Sequence, residues 1–376
     1  MNEYILYQKQ RRTKMKNNDI LFYTDEMIDN HHKDSNIDCR SFNYAGYTES
    51  EIWELTDKNI IESTCKSDYK GGSYYAMDLC IKKYGYFPRF LPICVSNDHG
   101  ICLYKQPTAD DDDYNNMPLK LVFNEYRCNI LKNKRKYKVE TIIFPMIFYR
   151  RSKNIKRVEN PKGTLIFVGH NYSYQYEIEY TQKLVSKIKS LPTEYSPVCV
   201  CVCIGDVFNG YYKYFMESDI PVYTAGSADD VRYPNRFYNL IKNFKYTMGE
   251  LIGSHILMSI EMGIPYTYLS EFLLNDDKLL DDYTDAIKIS YDLFGNDSTI
   301  PSITKEQIAF VNYYSGIEHS ISRLKCAKIL YLYFFKFLFS RKGLHYIFKI
   351  LHRFWRKPFY FLRKNHIKQL KEMWRL

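Results

Sequence analysis

The hydrophobic positions of this 376-residue chain change their period from one segment to the next. Between about 160 and 270, short strand-like runs, the first of them β-branched and suited to a strand buried on both faces, alternate with segments whose apolar residues recur at helical spacing. The strand-like runs are GTLIFVG (163–169), PVCVCVCI (197–204), IPVYTAG (220–226), KYTMGE (245–250) and IPYTYL (264–269). Between them, YEIEYTQKLVSKIKSLP (176–192), FNGYYKYFMES (208–218), NRFYNLIKNF (235–244) and 253–262 read as helices. Strands separated by helices of this length predict a doubly wound parallel sheet, whose right-handed crossovers gather the loops after the strands at one edge, where ligands bind.

The first 150 residues are less regular. Helical patterns at 50–62 and 74–84 precede three strand candidates, FLPICVS (90–96), LKLVFNE (119–125) and VETIIFP (139–145). The chain is too long for a single core, so two units are expected. The reading is an α/β protein with two Rossmann-like domains facing a cleft. The boundaries are an N-terminal domain at 1–150, a charged linker at 151–162 closed by Pro161 and Gly163, a second domain at 163–320 and a tail at 321–376. No repeat of 20–50 residues is visible, which sets solenoids aside.

Composition changes this picture in three places. The ten cysteines contain no CxxC pair and no zinc-like Cys/His spacing. Cys199, Cys201 and Cys203 alternate with valines, so as a strand they share one face and read as small buried thiols in a reducing compartment. The 37 tyrosines and 23 phenylalanines fit an AT-rich coding sequence as well as any function. Third, the net charge of +10 is unevenly distributed: residues 321–376 hold fifteen Lys/Arg against the single acid Glu372, leaving the rest mildly acidic. The acidic run ADDDDYNN (109–116) reads as a solvated loop.

The first residues lack the uninterrupted apolar core of a secretory signal, and AKILYLYFFKFLF (327–339) is interrupted by Lys336 and too short to span a bilayer. The expected location is cytoplasmic, with attachment to the inner face of the plasma membrane open. The tail mixes aromatics with Lys/Arg at helical spacing, which suits a helix lying on an anionic membrane surface. Nucleic acid is the rival partner and is set aside.

Candidate chemistry gathers in GELIGSHILMSIEMGIP (249–265), where a glycine opens a short helix. A helix N-terminus with free amides binds phosphate; Gly253 would let a ligand approach the backbone and Ser254 would add a hydrogen bond, although Ser254 also suits an ordinary cap. The preceding strands each end in a polar loop that would converge on the same edge: Gly169, His170 and Asn171; Gly205 and Asp206; Thr224, Ala225 and Gly226. In the N-terminal domain, NDHG (97–100) places Asp98 and His99 after a strand, as a candidate base or as a simple turn.

The frame Glu250, Gly253, Gly263, Pro265 resembles the donor-binding signature of GT-B glycosyltransferases. With KGTLIFVGH, LPTEYSPVCVCVCIGDVFNG, VYTAG and NRFYNLIKNFKYT, it is similar to bacterial proteins of capsule and lipopolysaccharide gene clusters. The resemblance covers about 160–270 and implies a C-terminal domain that binds a nucleotide sugar and an N-terminal domain that binds the acceptor. Retaining members carry an acid where this chain has Met258, with Glu261 offset by three residues, so the resemblance points to an inverting transferase.

It further implies donor binding by Gly169, His170, Thr224, Gly226, Arg236, Glu250, Gly253, Ser254 and His255, with Asp98 or His99 as base. Neither a metal nor a cofactor is expected beyond the nucleotide-sugar donor, which is a substrate. The acceptor would be a carbohydrate or a lipid-linked chain. A sugar-nucleotide epimerase or hydrolase, and a noncatalytic polysaccharide-binding protein, are the alternatives.

Overall fold

The computed structural model describes residues 37, 40–57, 60, 74–98, 100–103, 118–134, 138–169, 178–269, 285–295, 302–340 and 343–344. The N-terminal part contains α1 (Glu49–Thr56), α2 (Met77–Tyr84), β1 (Ser96–Asn97), β2 (Leu119–Val122), α3 (Glu125–Lys134), β3 (Lys138–Thr141) and α4 (Pro145–Ser152). There follow β4 (Lys162–Phe167), α5 (Ile178–Lys189), β5 (Val198–Cys201), α6 (Ile204–Phe208), α7 (Tyr212–Glu217), β6 (Val222–Tyr223), α8 (Tyr233–Ile241), β7 (Phe244–Gly249), α9 (Ser254–Glu261) and β8 (Tyr266–Tyr268). Helices α10 (Asp285–Phe294), α11 (Lys305–Tyr314) and α12 (Arg323–Leu338) complete it.

Local chemistry explains several boundaries. Thr48 and Glu51 form a reciprocal capping box at α1, and Thr304 and Gln307 form another at α11. Asp206 accepts a hydrogen bond from the Cys203 amide at 2.8 Å, which starts α6 immediately after β5. Cys203 therefore lies beyond the strand and leaves the expected three-cysteine face, whereas Cys199 and Cys201 stay on it, packed into the larger core. Burial pushes both of those thiols up to about 12, so they are unreactive near neutrality.

Both sheets are wholly parallel. One has the order β1-β2-β3; the other has β6-β5-β4-β7-β8. The chain builds outward from β4 through β5 and β6, then crosses back to place β7 on the other side of β4, with Phe167 opposite Gly249. The order reverses there, so the crevice beyond the carboxyl ends of β4 and β7 is the topological switch point where open α/β sheets bind ligands. The strand expected at 90–96 is reduced to the edge pair Ser96–Asn97. Pro88 and Pro92 supply no amide to a ladder.

One apolar cluster runs through both sheets, from Leu121, Ile142 and Phe144 to Leu165, Phe237 and Tyr268. The expected linker is bolted down rather than loose. Arg150 donates twice to Glu261 at 2.6 Å and Arg151 once at 2.7 Å, while Arg157 donates to the carbonyls of Lys245 and Gly263 at 2.6 and 2.8 Å. The tail boundary also changes in character: α12 returns to the N-terminal part, burying Cys326, Leu330, Tyr333 and Phe334, and Arg323 donates to the carbonyls of Lys83 and Tyr84 at 3.0 Å.

Candidate functional site at the sheet switch point

Three segments meet beyond β4 and β7. Glu250, one residue past β7, is buried, and its carboxylate accepts the Gly169 amide at 2.8 Å and the Tyr180 hydroxyl. Gly169 follows β4 and Tyr180 lies in the first turn of α5, so one side chain ties both walls of the switch point together. Burial pushes the Glu250 carboxyl above its ordinary value, opposed by those two donors. Gly169 permits this closeness, since a Cβ there would stand 3.0 Å from Leu251 Cδ1.

The helix that follows is preceded by two glycines because of an imidazole. The His255 ring stacks on Phe167 with centroids 4.7 Å apart, and its Nε2 stands 3.3 Å from the Tyr266 hydroxyl. A Cβ on Gly253 would lie 2.7 Å from the ring's Cε1 and Nδ1, and a Cβ on Gly249 would lie 2.7 Å from its Nε2. Gly253 has extended backbone (φ −161°, ψ 172°) that any residue adopts. Side chains, not the backbone, require glycine at these two positions: the ring at Gly253, and the ring together with the Tyr266 hydroxyl, 2.6 Å from a Cβ, at Gly249. His255 is thus held by packing, where the sequence pattern put a cation at a phosphate.

Ser254, at the first position of α9, is half-buried and accepts a hydrogen bond from the Ile101 amide at 3.0 Å. Gly100 lies beside it: a Cβ there would be 3.3 Å from Ser254 Oγ. The loop following β1 therefore reaches the mouth of α9 from the other sheet. Gly100, from one stretch singled out in the sequence, thus lies beside Ser254, from the other. Among the described residues no acceptor takes the Ser254 hydroxyl proton, and the amino end of α9 carries about half a positive charge.

Asp98, in the same loop, is buried and paired with Lys120 Nζ at 2.7 Å, with Arg127 Nε at 3.9 Å. Its carboxylate is engaged within the N-terminal unit, unlike the free base expected from the sequence. His99 and His170 lie outside the described residues, as do Asn171 and the acidic run at 109–116.

The loop after β6 forms a separate cluster. Gly226 has φ +86° and is pressed against α1, where a Cβ would meet the Leu55 carbonyl oxygen at 2.5 Å; its amide donates to Thr224 Oγ1 at 3.0 Å. Arg236 pairs with the buried Asp230 at 3.2 Å, beside Arg232 at 2.7 Å. Gly226 thus sets the loop after β6 against α1, Thr224 braces that turn, and the expected cation Arg236 is paired with Asp230. Met258 is buried in the main apolar cluster, and Glu261 is taken up by Arg150 and Arg151.

Sequence reasoning missed three residues. Lys120 had a signal, a lysine inside the apolar run LKLVF; Arg127 and Tyr180 had none that separates them from the many basic and tyrosine residues around them. Among the described residues, no group of three or more His, Cys, Asp and Glu side chains comes together as a metal-ligand set.

These features define a mixed α/β protein built on parallel sheets. No family model matches the chain, and neither does any curated protein. Among solved structures, the chain is similar to the "Glycosylation Associate Protein (Gap123) complex" from Streptococcus agalactiae at 12% identity, with a TM-score of 0.29. The alignment covers 61% of this chain and 43% of that one, so this chain spans less than half the length of that structure.

Proposed function

We propose that the protein is a glycosyltransferase of the GT-B type, moving a sugar from a nucleotide-sugar donor to a growing bacterial surface polysaccharide or a lipid-linked acceptor. The observation that carries this reading is the bond between the Ile101 amide and Ser254 Oγ: it brings the loop of one sheet to the helix mouth at the switch point of the other. A crevice with two such walls suits a reaction between two substrates.

In that reaction the acceptor hydroxyl attacks the anomeric carbon, the anomeric C–O bond breaks, and its electron pair passes to the nucleotide phosphate. The developing phosphate charge is met by the amides opening α9 and by the Ser254 hydroxyl. With His255 and Arg236 committed to packing and to Asp230, these backbone dipoles bear the main electrostatic role. Because Asp98 is held by Lys120, the acceptor proton goes to His99, whose side-chain type titrates near neutrality. Attack opposite the leaving phosphate inverts the anomeric centre.

Thermal shift against UDP-, GDP-, CMP- and TDP-sugars tests the donor half, since a ligand at 100 times its dissociation constant stabilises by about 2.7 kcal/mol. One nucleotide class should raise the melting temperature, and Ser254→Ala should cut turnover with that class while leaving the fold intact. No shift with any donor, or normal turnover in Ser254→Ala, overturns the reading.

A further inference from the structure

Helix α12 has two apolar faces, and among the described residues only one is packed. Its inner face, through Cys326, Leu330, Tyr333 and Phe334, is buried against the N-terminal part, and the Tyr331 hydroxyl donates to the Tyr86 carbonyl at 3.2 Å. On the opposite side, Leu324, Leu332, Phe335 and Phe339 are 70%, 49%, 53% and 84% exposed. Their spacings of eight, three and four residues put them on one stripe, where a surface helix ordinarily carries polar groups. A contiguous exposed stripe of large apolar side chains marks an interaction surface.

Charge identifies what covers it. Lys328 is exposed within the stripe and Lys336 on its flank. The sequence that continues from the end of α12 is dense in Lys and Arg and contains the single acid Glu372. A second copy would set like charges against each other. An anionic surface is the complementary partner. No helix among the described residues is long and apolar enough to cross a bilayer, so α12 would lie along one.

We propose that the outer face of α12 docks on an anionic lipid bilayer, Leu332, Phe335 and Phe339 entering the headgroup boundary while Lys328 meets lipid phosphates. This surface is independent of the sugar-transfer reading. The inner face of the same helix is part of the core, so the docking face moves rigidly with the rest of the protein.

The test uses the full chain, vesicles of phosphatidylcholine with and without phosphatidylglycerol, and two variants, Phe335→Ser/Phe339→Ser and Lys328→Glu. The wild type should float with phosphatidylglycerol vesicles and stay behind with phosphatidylcholine alone. The double serine variant should bind about tenfold more weakly or worse, because the lost burial is apolar. Its thermal melt should be unchanged, since both rings are exposed in the free protein, and Lys328→Glu should weaken binding several-fold.

Absence of binding to phosphatidylglycerol vesicles overturns the proposal, as does binding indifferent to the serine substitutions, which would leave only the basic sequence after α12 at work. Light scattering of lipid-free protein that shows an oligomer dispersed by Phe335→Ser/Phe339→Ser assigns the stripe to a second copy and also overturns it. A donor-induced thermal shift retained in both variants separates this outcome from failure of the transferase reading.

Discussion

Gly253 offers the sharpest test of what the helix mouth is built for. If glycine is there to admit a ligand to the backbone, alanine should abolish binding whatever surrounds it. The structure gives a different reason: the His255 ring, pinned between Phe167 and the Tyr266 hydroxyl, leaves 2.7 Å for a Cβ. Alanine in extended backbone carries no φ/ψ penalty, so the cost of Gly253→Ala is the displacement of that ring, about 2 kcal/mol for overpacking of this size. His255→Ala removes the stack and leaves a void, also about 2 kcal/mol.

Independent effects would sum to about 4 kcal/mol, whereas in the double variant the new methyl enters the vacated space and the loss should be only about 2 kcal/mol, a coupling of about 2 kcal/mol. Urea denaturation of the four proteins measures it directly. Additivity within about 0.5 kcal/mol refutes the packing explanation. Donor binding measured on the same set then decides the second question: a double variant that is stable yet no longer shifted by any nucleotide sugar would restore the ligand-approach role of Gly253.

Asp98→Asn should destabilise by about 3–5 kcal/mol by leaving Lys120 buried without its carboxylate, while turnover per folded molecule stays within a few-fold of wild type and His99→Ala loses it; denaturation with parallel transfer assays checks both, and a collapse of turnover in a folded Asp98→Asn returns the base role to Asp98. Glu250 should give the protein a pH-dependent stability. Its carboxyl is raised by burial, so the folded state holds the proton to higher pH than the unfolded chain does, and stability falls as pH rises from the ordinary 4.5 through the raised value. Glu250→Gln keeps an acceptor for the Gly169 amide and should flatten that slope in melts across the acid-to-neutral range; an unchanged slope excludes Glu250 as its source.

The five-stranded sheet was readable because its strands are short, mostly buried apolar and aromatic runs set between segments of helical period, even where Lys245 breaks the run of β7. The N-terminal sheet was harder: β1 is a two-residue edge pair behind Pro92, and Lys120 interrupts the apolar pattern of β2. The charged stretch from the end of α4 onward read as a linker because arginines are usually solvated, yet Arg150 and Arg151 in the last turn of α4 are spent on Glu261, and Arg157 beyond it on carbonyls of β7 and the turn after α9. In the same way, the basic composition of the tail masked the first turns of α12, whose apolar period belongs to the core. The site loops were legible as places, but their side-chain roles were not. Whether Arg236 faces a ligand or Asp230 is fixed by residues brought together only in three dimensions.

The rigidity of the switch point follows from where its polar groups are spent. Glu250 fastens β7 to Gly169 after β4 and to Tyr180 on α5, and His255 fills the space between Gly249 and Gly253, so the start of α9 has little freedom to shift relative to the sheet. Ser254, by contrast, is half-buried and reaches the other sheet through one amide hydrogen bond, worth about 1 kcal/mol. A ligand phosphate would accept the hydroxyl's own proton, a charge-assisted bond roughly twice as strong, while the Ile101 amide goes on donating to the same oxygen. The seam between the loop after β1 and α9 is therefore the place where a ligand phosphate could be held through Ser254 without breaking the contact between the two sheets.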